Sequence, residues 1–190
     1  MKKIMTLVVA LACAATTFAQ NSVGSFNITP MAGITLANMT NTNGDMKVGF
    51  IGGAEAQYQA SDIFAVSAGL LYAQEGTKYD NGNLKTSYLN VPVLVNAYIL
   101  PGFAVKLGIQ PAFLLTADGE ATAFGVTGSA DVKDAMESFD LAMPIGVSYE
   151  YNNVVLDARY NLGLLKTNKH DLGDNNSMNS VFQVTLGYRF

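Results

Sequence analysis

Charge is scarce in this chain of 190 residues: Asp, Glu, Lys and Arg make up 14% of it, against about 25% in an ordinary soluble domain. So few charged side chains cannot coat a water-facing surface, yet 49% of the residues are hydrophobic. Tryptophan is absent, histidine occurs only at His170, and cysteine only at Cys13. A single histidine excludes a multi-histidine zinc centre, and a single cysteine excludes an intrachain disulfide framework. The few cationic residues form no cluster, which argues against a nucleic-acid partner and against attachment to anionic lipid through a basic patch. After the N-terminal run no apolar stretch is long enough for a membrane-crossing helix, which needs about 18 residues or more. The apolar content excludes intrinsic disorder.

Met1-Lys2-Lys3 opens the chain with positive charge, and an apolar run from Ile4 to Ala15 follows, broken only by Thr6. Thr17-Phe18-Ala19 then offers a cleavage site after Ala19. This is the layout of a secretory signal peptide. The expected division is therefore a signal over residues 1–19 and one exported domain over 20–190. Losing Lys2 and Lys3 leaves nine cationic against fifteen acidic side chains, a net charge of −6. A lipoprotein signal acylated at Cys13 is the rival, but Leu11 stands one place from where that motif needs a leucine. Under the main reading the mature chain has no cysteine, hence no thiol nucleophile.

What the chain has in abundance is period-two alternation, the strand period. In the last segment Phe182, Val184, Leu186, Tyr188 and Phe190 share one face, with Gln183, Thr185, Gly187 and Arg189 on the other. The same pattern runs through Val154–Leu164, Phe139–Tyr151 and Phe103–Leu115, and more weakly through 26–37, 47–59, 63–76 and 86–99. Pro30, Pro92, Pro111 and Pro144 fall inside these segments, so a bulge or a pairing gap is expected near each. Ala60-Ser61-Asp62, Pro101-Gly102 and Asn152-Asn153 read as tight turns. The stretches 38–46, 77–85, 117–137 and 166–178 read as longer polar connectors. Eight strands joined alternately by long and short links predict an antiparallel up-and-down meander.

Volume decides which face points outward. An eight-stranded barrel has an interior only just wide enough to be filled by side chains. The apolar face carries Phe, Leu, Ile, Val and Tyr from every segment, too bulky for that lumen, whereas the other face is mostly Gly, Ala, Ser, Thr, Asn and Gln. The apolar face is therefore expected to meet lipid. The sheet must then close, because unpaired backbone groups are costly in hydrocarbon. Tyr58, Phe64, Phe103, Tyr149, Tyr151, Tyr188 and Phe190 lie near the short turns or the C-terminus, as an aromatic girdle requires. The expected fold is all-β: an eight-stranded antiparallel up-and-down transmembrane β-barrel.

The closing run Val181-Phe182-Gln183-Val184-Thr185-Leu186-Gly187-Tyr188-Arg189-Phe190 resembles the terminal strand of bacterial outer-membrane barrels. The segments Gly69–Gly76, Tyr88–Val93 and Ala158–Leu164 resemble the PorT-like outer-membrane β-barrel family, over about residues 25–190. The resemblance implies an outer-membrane location, contact with outer-membrane lipid, and recognition of the terminal strand, with Tyr188 and Phe190, by the barrel assembly machinery. It does not carry over the secretion role of the founding protein.

On the predicted inner face stand Glu55, Glu75, Lys106, Asp140, Glu150, Asp157, Arg159 and Arg189. Isolated charges are expensive in a narrow interior, so they should pair. Arg159 is expected to meet Asp140 or a neighbour of Asp157, and Lys106 to meet Glu55 or Glu150. Such a network would plug the lumen; an ion path through it is the alternative. The 117–137 stretch carries Asp118, Glu120, Asp131, Asp134 and Glu137 against Lys133, without the spacing of a calcium loop, and reads as a solvated acidic loop. His170 with Ser177 and Asp171 or Asp174 forms no recognisable catalytic motif. No enzyme activity, metal or cofactor is expected. The expected function is that of a monomeric barrel with a structural role or a role in loop-mediated interaction. The alternatives are an exported lipocalin-like barrel binding a lipophilic ligand, or a small ion-conducting pore.

Overall fold

The computed structural model describes residues 22–39, 45–79, 82–123, 126–133, 136–165 and 178–190. The signal over 1–19, with Cys13 and the cleavage site after Ala19, lies outside the described residues, as do Asp134, His170, Asp171, Asp174 and Ser177. The strands are β1 (Phe26–Met39), β2 (Asp45–Gln59), β3 (Phe64–Tyr79), β4 (Gly82–Asn90), β5 (Val93–Leu100), β6 (Phe103–Ala123), β7 (Val126–Asp131), β8 (Phe139–Tyr151), β9 (Val154–Gly163) and β10 (Asn179–Tyr188). Each wall strand pairs antiparallel with the next, and β1 pairs with β10 from Met31↔Gly187 to Met39↔Asn179, which closes the sheet. β4 and β5 form one wall strand interrupted at Val91-Pro92, and β7 is an addition outside the wall, so the barrel has eight strands.

All four strand prolines sit where a ladder lapses, because each lacks the N–H that the ladder would use. Val91-Pro92 faces Gln110-Pro111 across one gap, bridged by the Val91 N–H donating to the Pro111 carbonyl at 2.8 Å. The β6–β8 ladder breaks between Leu107↔Ile145 and Gln110↔Ala142, beside Pro144. The β1–β10 ladder stops at Met31↔Gly187 and resumes only with the reciprocal Ile28 and Phe190 backbone bonds, leaving Pro30 between them. At the short-turn end, Asn152 and Asn153 have φ of 46° and 68°, the two positive values that a type I′ hairpin requires. Gly102 has φ of 74° after Pro101, which suits a type II turn.

The outer surface is apolar and the centre polar. Leu107, Ile145 and Leu186 are 52%, 43% and 58% exposed, while Lys106 and Arg159 are 4% and 1% exposed. On several strands two outward aromatics lie eight to ten residues apart: Phe50 and Tyr58, Phe64 and Tyr72, Phe103 and Phe113, Phe139 and Tyr149, Phe182 and Phe190. At about 3.3 Å per residue and a tilt near 40° that separation spans roughly 20–25 Å, the height of an outer-membrane apolar band. Small inward residues let the wall curl tightly. A Cβ at Gly33, for example, would run into the Val184 carbonyl of β10.

The connectors depart from the sequence reading. The stretch 77–85 is not a long loop, because β3 continues to Tyr79 and β4 starts at Gly82. Most of 117–137 is ladder too. β6 runs on to Ala123, pairing with β4 up to Gly82↔Ala121 and with β7 from Asp118↔Asp131 to Ala123↔Val126. A bulge at Leu115 makes this possible: Leu115 and Thr116 are both exposed and Ala117 turns back to the buried face. The backbone keeps its hydrogen bonds by extending the sheet past the barrel rim, which hydrophobic periodicity does not reveal, because only Ala117, Gly119, Ala121 and Ala123 alternate with Asp118, Glu120 and Thr122 and no bulky apolar face runs through the segment.

Candidate functional site

The inner face stacks three polar layers between apolar ones. At mid-height Glu55 from β2, Lys106 from β6 and Asp157 and Arg159 from β9 meet in the lumen. The Lys106 ammonium donates to Glu55 Oε1 at 2.7 Å and to Asp157 Oδ2 at 2.8 Å. Arg159 Nη2 donates to Glu55 Oε2 at 2.5 Å and to Asp157 Oδ2 at 2.9 Å, while Nε lies 2.6 Å from Asp157 Oδ1. Two cations and two anions thus alternate in a closed quartet with almost no exposure. Gly146 makes room for it: a Cβ there would meet Arg159 Cγ at 2.8 Å.

Nearer the short turns, the Arg189 guanidinium pairs with the Glu150 carboxylate. It also reaches the Tyr98 hydroxyl at 3.4 Å and Gln57 Oε1 at 3.3 Å, and Gln57 Nε2 donates to the Tyr98 hydroxyl at 2.8 Å. This layer is charge-balanced as well. Above the quartet, Asn161 Nδ2 donates to Gln183 Oε1 at 3.0 Å, and Met31, Ile51, Leu71 and Ala73 form a dry patch against the β1–β3 wall.

The third layer is different. Glu75 accepts from Asn90 Nδ2 at 3.5 Å. Asp140 accepts from Asn179 Nδ2 at 2.7 Å and from the Leu141 N–H at 2.7 Å, and Asn179 Nδ2 also lies 3.4 Å from the Tyr88 hydroxyl. Among the described residues no cation pairs with either carboxylate. Over this layer lies an apolar pad of Tyr88, Ala112, Leu114, Ala117 and Met136, with Leu84 and Val132 packed against it. Met136, from the link between β7 and β8, packs into this pad.

All eight charged residues singled out in the sequence point inward and are buried or, for Glu150, half-buried. Their pairings are as expected in one case and not in the other. Lys106 meets Glu55, with Asp157 as a second partner, whereas Arg159 meets Glu55 and Asp157 rather than Asp140. Asp140 stands near the rim of β8 and Arg159 near mid-height of β9, on different levels. Period two gives the face but not the height. The uncharged partners Gln57, Tyr88, Asn90, Tyr98 and Asn179 were legible only as inward-parity positions. The inner face is also less uniformly small and polar than its composition suggested, since Ile51, Leu71 and Leu94 are fully buried. On the outer face Tyr188 and Phe190 stack edge to face at 4.9 Å. In the 117–137 stretch Asp118 and Asp131 stand opposite each other, exposed, and no group of three acidic, His or Cys side chains gathers among the described residues.

The family model described as "Outer membrane protein beta-barrel domain" matches residues 18–168. Ail, the attachment invasion locus protein of Yersinia pestis, is similar in structure, with a TM-score of 0.53 and 17% identity over 89% of this chain and 100% of that one. Neisserial surface protein A is similar too, with a TM-score of 0.51 and 16% identity over 89% of this chain and 100% of the other. At these identities the likeness is one of fold. No curated protein matches the chain.

Proposed function

The chain belongs to the outer membrane protein β-barrel domain family, and from that premise we propose that it is a closed, non-conducting barrel whose work is done at its outer rim. One observation carries this reading: the quartet of Glu55, Lys106, Asp157 and Arg159 crosses the lumen at contact distances of 2.5–2.8 Å. Charges held to each other this closely in a low-dielectric centre resist separation by a passing hydrated ion. The layer around Arg189 below and the pad around Met136 above add two further obstructions. Above the apolar belt, the β6–β7 hairpin carries the sheet past the rim and presents β7 as a strand that pairs, among the described residues, with β6 alone. That surface suits a structural or interaction role rather than catalysis.

The finer assignments follow the same reading. The resemblance of Gly69–Gly76, Tyr88–Val93 and Ala158–Leu164 supports a PorT-like subgroup. The N-terminal pattern supports export with cleavage after Ala19, and the aromatic terminal strand supports delivery by the barrel assembly machinery to a monomer surrounded by lipid. Planar-bilayer recording tests the plug. The refolded wild-type barrel should give no unitary current, and a variant carrying Glu55→Ala, Lys106→Ala, Asp157→Ala and Arg159→Ala should give measurable steps. Steady ion-selective steps from the wild type would instead make it a pore.

A further inference from the structure

The acid layer beneath the Met136 pad carries two carboxylates in a buried position, and nothing assigned so far neutralises them. Glu75 on β3 and Asp140 on β8 are both buried, and each is met by a neutral amide rather than by a cation. In register Asn90 stands beside Ala112, and Ala112 beside Asp140, so a methyl group separates the Asn90 and Asp140 positions on the inner wall. Asn90 is 1% exposed, its Nδ2 reaches Glu75, and its Oδ1 has no hydrogen-bond partner. Gln110, at the next inward position of β6 below Ala112, likewise has a buried Oε1 without a partner. The Tyr88 hydroxyl, beside Asn179, adds a further oxygen.

We propose that this layer is a cation site in which the Glu75 and Asp140 carboxylates and the Asn90 amide oxygen hold one hard divalent cation of the calcium type. The chemistry of the donors selects the ion: carboxylate, amide and phenol oxygens suit calcium, whereas zinc and copper prefer nitrogen and sulfur. The charge selects it too, since two carboxylates match one divalent cation. The Asn90 amide oxygen is buried, has no hydrogen-bond donor and belongs to the side chain that reaches Glu75, so a cation in this layer would satisfy it. The quartet below needs no such ion, because its own side chains already balance. The site does not depend on whether the lumen conducts.

Terbium, a calcium surrogate excited through nearby tyrosine, provides the test on the full-length mature barrel refolded in detergent. The wild type should show tyrosine-sensitised terbium emission that calcium displaces. Its heat-induced gel-mobility transition should move upward in calcium relative to EDTA. Glu75→Gln with Asp140→Asn should weaken terbium binding about tenfold or more and abolish the calcium shift, with unheated gel mobility reporting that the variant still folds. Tyr88→Phe, which removes both the nearest sensitiser and one of the site's oxygens, should cut the emission and reduce, without abolishing, the calcium shift. Asp118→Asn with Asp131→Asn, on the exposed hairpin, should change neither. If only the hairpin variant loses terbium, the ion sits on the surface and the proposal fails. It fails equally if the wild-type transition is the same in calcium and EDTA, a comparison that needs no variant to fold.

Discussion

The middle and the top of the lumen both bury two carboxylates, and they do so in opposite ways. At mid-height Glu55 and Asp157 are ringed by Lys106 and Arg159, and every charge has two partners of the other sign. Under the rim Glu75 and Asp140 face Asn90, Asn179 and the Leu141 N–H, all neutral donors. A balanced set is self-sufficient but brittle, since removing one member strands its partners in a medium that cannot solvate them. An unbalanced set tolerates neutralisation of a member, and it leaves room for a counter-charge from outside.

The largest effect should come from breaking the balanced layer. Arg159→Met leaves Glu55 and Asp157 sharing Lys106 and should destabilise the barrel by about 3–5 kcal/mol, read from urea titration followed by unheated gel mobility. Lys106→Met combined with Glu55→Gln leaves the Asp157–Arg159 pair intact. The double variant should therefore be more stable than the sum of the two single losses predicts, by roughly 1–3 kcal/mol in a double-mutant cycle. Additive losses would mean that the quartet is four separate contacts. Gly146→Ala pushes a methyl group against Arg159 and the Ala158 carbonyl, and overpacking of this kind should cost about 1–3 kcal/mol by the same titration. Glu75→Gln measured in EDTA should be the mildest, within about 1 kcal/mol of wild type, because it strands no cation. A loss as large as that of Arg159→Met would show that the two layers are built alike after all.

Much of this was legible along the chain, for reasons that particular residues make clear. Leu107, Ile145 and Leu186 fall on one parity and Lys106, Asp157 and Arg159 on the other, so the sidedness of the wall follows from the two-residue repeat alone. The prolines announced the ladder gaps because a missing N–H is a local property. The extended β6–β7 hairpin was not legible, since its sequence lacks a greasy face and it is held by backbone pairing that any polar residues permit. Leu71 and Ile51 were hidden for the opposite reason: each sits beside outward apolar neighbours, so the inward residue does not stand out.

Composition and alternation by themselves determined an inverted barrel, because bulky hydrocarbon cannot fit an eight-stranded lumen and sparse charge cannot coat a water-facing wall. Which charges meet was decided only by closure. Glu55 and Lys106 are 51 residues apart in sequence, and Glu55 and Arg159 are 104 apart. Whether such residues share a level depends on strand stagger around the ring, a quantity summed over every bulge and gap and written in no single segment.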